Sequence, residues 1–132
     1  MDMEIQKQTP PVILVAEDDV AMRDIMQHKL VTSGYTVQVA EDGKQAIELI
    51  PKLKPQLVML DLLMPEVDGF GVLEFIRKNP DTAIAKTKVI VLSNLWSNAD
   101  ILRVKALSVQ DYLVKAYFTP EEILEKVQAV LG

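Results

Sequence analysis

The sequence predicts a doubly wound α/β fold, a five-stranded parallel sheet with helices on both faces, in one domain of 132 residues. Two observations carry this. Short runs of apolar residues without polar alternation suit strands that are covered on both faces, as in a parallel sheet. The segments between them place apolar residues at helical spacing, so strand and helix alternate about five times. That pattern calls for parallel strands joined by right-handed crossovers.

The first strand is "VILVA", 12–16, a continuous run rich in β-branched residues. Met22, Ile25, Met26 and Leu30 then recur at helical spacing, and Gly34 marks the stop. "YTVQVA", 35–40, alternates more and reads as the second strand. Asp42 and Gln45 suggest a capping box for a helix carrying Ala46, Ile47 and Ile50, which Pro51 follows. "LVMLD", 57–61, is the third strand, and residues 69–78 form a helix through Phe70, Leu73, Phe75 and Ile76. "NPDTAIAKTK", 79–88, reads as an extended loop before the fourth strand, "KVIVLS", 88–93. A helix over 98–107 presents Ile101, Leu102, Val104 and Leu107, and "DYLVK", 111–115, is the last strand. The final helix opens with Thr119 as N-cap, Pro120 in the first helical position and Glu122 three residues after the cap.

Composition narrows the function. The chain has no cysteine, which excludes a disulfide framework and a thiolate metal site. A net charge of −5 argues against direct nucleic-acid binding, which leans on basic patches. No apolar run approaches membrane-spanning length. The start, "MDMEIQKQTPP", 1–11, lacks the basic and apolar stretches of a signal peptide and reads as a disordered tail ahead of a domain over 12–132. The expected location is the cytoplasm.

In open parallel sheets, ligands bind beyond the carboxyl ends of the strands. There the first strand ends in Glu17, Asp18 and Asp19, the third in Asp61, the fourth in Ser93 and Asn94, and the fifth in Lys115. Clustered carboxylates repel one another and favour a hard cation with oxygen ligands, for which Mg²⁺ is suited. A lysine balances an anion, a serine hydroxyl can bond a phosphoryl oxygen, and an aspartate can be phosphorylated as an acyl phosphate. Taken singly these residues have plainer uses. Asp19 reads as a helix cap, Ser93–Asn94 as a turn signal, Lys115 as a surface lysine and Tyr112 as an edge-strand aromatic. His28, without partners, reads as an exposed helix residue.

As a set, "ILVAEDD", "LVMLDLLMPEVDG", "VIVLSN" and "DYLVKAYFTP" come in one order at one spacing. In these the chain resembles the receiver domain of bacterial two-component response regulators, the chemotaxis-type single-domain receivers among them, from Val12 to Leu131. The resemblance implies strand order 2-1-3-4-5, with Asp61 as phosphoacceptor. It implies Mg²⁺ held by Glu17, Asp18, Asp61 and the backbone carbonyl of Leu63, with Asp18 the more direct ligand of the acidic pair. Lys115 would contact the phosphoryl group, Ser93 would be the switch hydroxyl, and Tyr112 the aromatic that turns inward on activation. The implied protein is a signalling domain that catalyses only its own phosphorylation and dephosphorylation. Its donor would be a sensor histidine kinase or a phosphotransfer protein. Its output would be a protein partner at helix 98–107, strand 111–114 and helix 120–131. It would be a monomer or a weak, phosphorylation-dependent dimer, without nucleic-acid or membrane contact.

The chain departs from the family at Ala116, where proline usually follows the lysine across a cis bond. A cis bond before a non-proline residue costs about 2.5–4 kcal/mol, so a trans peptide or a rearranged loop is expected here. Leu63 and Leu95 are apolar at positions beside the site that are often polar, which favours a long-lived phosphoryl state. Trp96 is expected to report movement of the Ser93 loop. Two other readings remain open on sequence: a receiver-like interaction module without phosphorylation, and a Mg²⁺-dependent phosphohydrolase with an aspartate nucleophile. The second usually carries another aspartate two residues on, where this chain has Leu63.

Overall fold

A computed structural model describes residues 9–94 and 97–132. The expected tail falls largely on residues 1–8, and the expectations for Leu95 and Trp96 fall on the other undescribed pair, so all three lie outside the described residues. The sheet has five parallel strands in the order β2-β1-β3-β4-β5. These are β1 Val12–Ala16, β2 Thr36–Ala40, β3 Leu57–Leu60, β4 Lys88–Ser93 and β5 Asp111–Val114. The helices are α1 Val20–Thr32, α2 Gly43–Leu53, α3 Gly69–Arg77, α4 Thr82–Ala85, α5 Asn98–Lys105 and α6 Pro120–Leu131.

The strand period of two sorts the central side chains onto two faces. Ile13, Val15, Leu57, Met59, Ile90 and Leu92 pack with Met26 and Leu30 of α1 and with Ile123 and Val127 of α6. Leu14, Val58, Leu60, Val89 and Val91 face the other way, onto α2, α3, α4 and α5. Every residue of β3 is buried, whereas β2, at the edge, alternates. This is why β3 reads as a continuous apolar run and β2 does not. Pro11 already belongs to the sheet's hydrogen bonding, its carbonyl accepting from the Thr36 N–H at 3.0 Å.

Caps fix the helix starts. Asp19 accepts from the Met22 N–H at 2.8 Å, so it is the cap of α1 that its type suggests. At α6 the Thr119–Glu122 capping box closes in both directions. At α2 the box is offset. Asp42 accepts from the Gln45 N–H, but the Gln45 amide reaches back to the Glu41 N–H, not to that of Asp42. Pro51 lies inside the last turn of α2, which runs on to Leu53 and ends on Lys54 in the left-handed region.

The loop expected over 79–88 contains the single turn α4. Asn79 and Asp81 start it, with Asp81 accepting from the Ala83 N–H at 2.9 Å, and Ile84 is buried beneath it. One helical turn is too short to show a periodicity, so the sequence pattern cannot reveal it.

Arg77 ties this region together. Its guanidinium donates to the carbonyls of Leu107 (2.7 Å), Ala85 (2.9 Å), Thr87 (2.7 Å) and Ser108 (2.8 Å). The C-terminal turn of α3 thereby holds both α4 and the end of α5, which buries only Val104. Arg77→Ala is expected to lower stability by about 2 kcal/mol, because several of these carbonyls lose a charged donor while some regain water. Urea denaturation measures it, and an unchanged midpoint would show that the four bonds contribute nothing net.

Candidate functional site

The chain order reverses between β1 and β3, and the loops leaving these strands diverge there, opening a crevice at their carboxyl ends. Two backbone bonds hold its floor. Asp61 N–H donates to the Ala16 carbonyl at 3.1 Å, and Glu17 N–H to the Ala40 carbonyl at 3.0 Å. Glu17 and Asp61 are therefore carried by rigid strand ends, and both are buried, at 3% and 5% exposure. Asp18 beside them is exposed. One carboxylate oxygen from each of the three lies within 4.8 Å of the others.

Lys115 meets them from across the sheet. Its Nζ stands 2.6 Å from Glu17 Oε1 and 2.9 Å from Asp61 Oδ2. The other oxygens are also engaged. Glu17 Oε2 accepts from the Asp19 N–H at 3.1 Å, and Asp61 Oδ1 from the Leu63 N–H at 3.1 Å. Burial pushes the Glu17 carboxyl up to about 7; Lys115 opposes the rise and Asp61 adds to it. Burial lowers the Lys115 pKa, but its bonds to Glu17 and Asp61 outweigh that and raise it above its usual value. The site is thus a desolvated cluster with more acid than base, the setting in which a further cation is favoured.

Ser93 ends β4 and is fully buried. Tyr112 on β5 pairs with Val91, two residues before Ser93, and packs against the face that α5 covers. Its hydroxyl end is buried and has no hydrogen-bond partner among the described residues. Burial, with Asp100 and Asp61 adding, holds that hydroxyl above its usual pKa. The residue as a whole is half-buried. Leu63 projects from the loop after Asp61, with 55% of its surface exposed.

The structure thus brings Glu17, Asp18, Asp61 and Lys115 together, and adds Arg23 and a contact of Asn94. Arg23 donates to the Glu17 carbonyl at 3.1 Å from one turn into α1. Asn94, taken as a turn signal, accepts from the Ala116 N–H at 3.0 Å. Ala116 sits in a single 3₁₀ turn, Lys115–Tyr117, and no described peptide bond is cis. Spacing could have flagged Arg23, one helical turn from the cap Asp19. Asn94 stood at the strand end, but nothing local flags its bond to Ala116.

Comparison with known proteins agrees with this geometry. The family model described as the response regulator receiver domain matches residues 13–128. A probable transcriptional regulator ycf27 of Guillardia theta is 36% identical over 129 residues, covering 98% of this chain and 48% of its own length. The DNA-binding dual master transcriptional regulator RpaA of Synechocystis is 39% identical over 121 residues, covering 92% of this chain and 49% of its own. The chain therefore spans about half the length of these curated relatives. Among solved structures, the chemotaxis protein CheY4 of Vibrio cholerae superposes with a TM-score of 0.83 at 27% identity, over 92% of this chain and 98% of its own. No described helix is long and apolar enough to cross a membrane. A partly buried acid cluster at the switch point of a 2-1-3-4-5 sheet, a lysine reaching into it and a family match over nearly the whole chain converge on one assignment: this chain belongs to the response regulator receiver domains, the signalling domains of two-component systems.

Proposed function

We propose that Asp61 is the phosphoacceptor of this receiver and that a phosphohistidine on a sensor histidine kinase or phosphotransfer protein is the donor. The observation that carries it is the seating of Asp61. It is buried on a strand end, yet open to the crevice and held by Lys115 and the Leu63 N–H. An Asp61 carboxylate oxygen attacks phosphorus, the P–O bond forms, the P–N bond breaks, and the electron pair leaves with the imidazole, which takes up a proton. Lys115, already on Asp61, follows the transferred charge by moving from the carboxylate to a phosphoryl oxygen. Ser93 supplies a hydroxyl at the end of the neighbouring strand.

The donor set fits Mg²⁺. All its side-chain ligands are hard carboxylate oxygens, and the Lys115 ammonium already lies against two of them. Asp18, Asp61 and the Leu63 carbonyl would hold the ion, with Glu17 behind them. When bound, Mg²⁺ supplies positive charge that stabilises the transferring phosphoryl group. Glu17 has both oxygens engaged and Asp18 is exposed, which supports the reading of Asp18 as the more direct ligand. Glu17→Ala is expected to weaken Mg²⁺ binding about tenfold, as loss of an outer partner does, and Asp18→Ala by more. Calorimetry measures both. Wild-type affinity in the double variant would place the ion elsewhere.

The added phosphoryl group carries about −1.5 to −2 charge. It draws Ser93, and Tyr112 turns inward. The face of α5, β5 and α6 then changes for a protein partner, with the chain a monomer or a weak phosphorylation-dependent dimer. The relatives named as transcriptional regulators are chains about twice as long. For the residues present here, we keep the reading of a cytoplasmic protein-docking domain that catalyses only its own phosphorylation and dephosphorylation. The test is incubation with acetyl phosphate and Mg²⁺. Intact mass should rise by one phosphoryl group, and reduction of the acyl phosphate followed by peptide mapping should place it at Asp61. Labelling at any other residue, or none, overturns the assignment.

A further inference from the structure

Family resemblance places a proline after the lysine; this chain has Ala116, which leaves φ at that position unrestrained and adds a backbone N–H. The structure uses that N–H. It donates to Asn94 Oδ1 at 3.0 Å, across 22 residues of sequence. Because the partner is a donor, the amide face turned toward it must be the oxygen. The bond joins two loops at one end of the sheet. Asn94 directly follows Ser93, the last residue of β4, and Ala116 directly follows Lys115, beyond the end of β5. Ser93 pairs with Val114 in the strand register, so the bond forms immediately past the last paired residues. Within the turn, the bond from the Phe118 N–H to the Lys115 carbonyl is long, at 3.4 Å.

We infer that Asn94 is a positioning residue for Lys115. Its side-chain carbonyl pins the Ala116 N–H, and so fixes the backbone from which the Lys115 ammonium reaches Glu17 and Asp61. In this chain a hydrogen bond from the switch loop takes the place of the stiff proline ring. Asn94 also follows Ser93 in the same loop, so a shift of Ser93 is transmitted to the turn bearing Lys115. This rests on the reading of Asp61 as phosphoacceptor.

The experiment compares Asn94→Ala, Ala116→Pro and the double variant with the wild type, following phosphorylation by acetyl phosphate and Mg²⁺. One exposed hydrogen bond implies a loss of about three- to tenfold in rate for Asn94→Ala. In the Ala116→Pro background, where no N–H remains to be held, Asn94→Ala should change the rate by less than about twofold, the non-additivity expected of a shared contact. A purely structural or steric role for Asn94 would give the same loss in both backgrounds and would overturn the inference, as would no loss in either. Amide exchange at Ala116, read in the absence of any phosphodonor, keeps the two readings apart. Asn94→Ala should speed that exchange, and unchanged exchange overturns the bond itself. If the wild type takes up no phosphoryl group, the phosphoacceptor reading fails while the exchange result still decides the Asn94 contact.

Discussion

Asp61→Asn is expected to abolish phosphoryl uptake from acetyl phosphate while leaving the fold in place. The chemical reason is that a carboxylate oxygen carries the attacking electron pair, whereas an amide oxygen is a poor nucleophile and yields no stable acyl phosphate. The structural reason is that the amide has nearly the carboxylate's shape, so its carbonyl oxygen can still accept from the Leu63 N–H, now at 3.1 Å from Oδ1. The amide nitrogen would then face Lys115, which keeps Glu17 at 2.6 Å. The side chain is 5% exposed, so a group too large for the site would disturb the strand ends, but this one is not. Intact mass after incubation should show the added phosphoryl group in the wild type and none in the variant. Circular dichroism should superimpose. Equal labelling of the two chains would sink Asp61 as acceptor. Loss of both labelling and fold would show that its role is structural.

What the sequence made legible follows from burial. The central residues of β1, β3 and β4 are covered on both faces and so are apolar, and each run ends at the carboxyl edge of the sheet. A carboxylate at that edge is conspicuous, which is why Glu17 and Asp61 stand out in the sequence alone. Lys115 emerged by the same logic at the end of β5. The caps of α1 and α6 were legible because each is a contact within a few residues. What escaped depends on distant backbone. The four carbonyls held by Arg77 lie 8 to 31 residues away, and a carbonyl has no residue type to read. The Asn94–Ala116 bond spans 22 residues and uses an N–H that every residue but proline possesses. Ala116 stood out only as a missing proline. The run of α2 past Pro51 escaped for another reason. A helix can carry proline in its last turn when the remaining bonds hold, and Lys54 N–H still donates to the Ile50 carbonyl at 2.8 Å.

Gly69→Ala is expected to cost about 3 kcal/mol of stability and to weaken Mg²⁺ binding about tenfold or more. Gly69 opens α3 directly after its cap, Asp68, and folds back onto the end of β3, its N–H donating to the Leu62 carbonyl at 3.0 Å. A Cβ at this position would stand 2.3 Å from the Asp61 carbonyl oxygen and 2.6 Å from the Leu62 Cα. Both are backbone atoms, so no change of rotamer relieves the contact. Either α3 tilts away, uncovering Phe70 and Leu73, or the strand end carrying Asp61 and Leu63 moves. The first costs burial, and the second displaces the acceptor together with the carbonyl assigned to the metal. Gly34→Ala separates this effect from a general cost of removing glycine. Gly34 has φ +99° but open space around its Cβ position, so alanine there meets strain without collision. It should lower stability by about 1 kcal/mol and leave Mg²⁺ affinity as in the wild type. Urea denaturation and calorimetry on the two variants read both quantities. If Gly69→Ala bound Mg²⁺ as tightly as the wild type while losing stability, the loop after Asp61 would not set the metal geometry, and the assignment of the Leu63 carbonyl would fall.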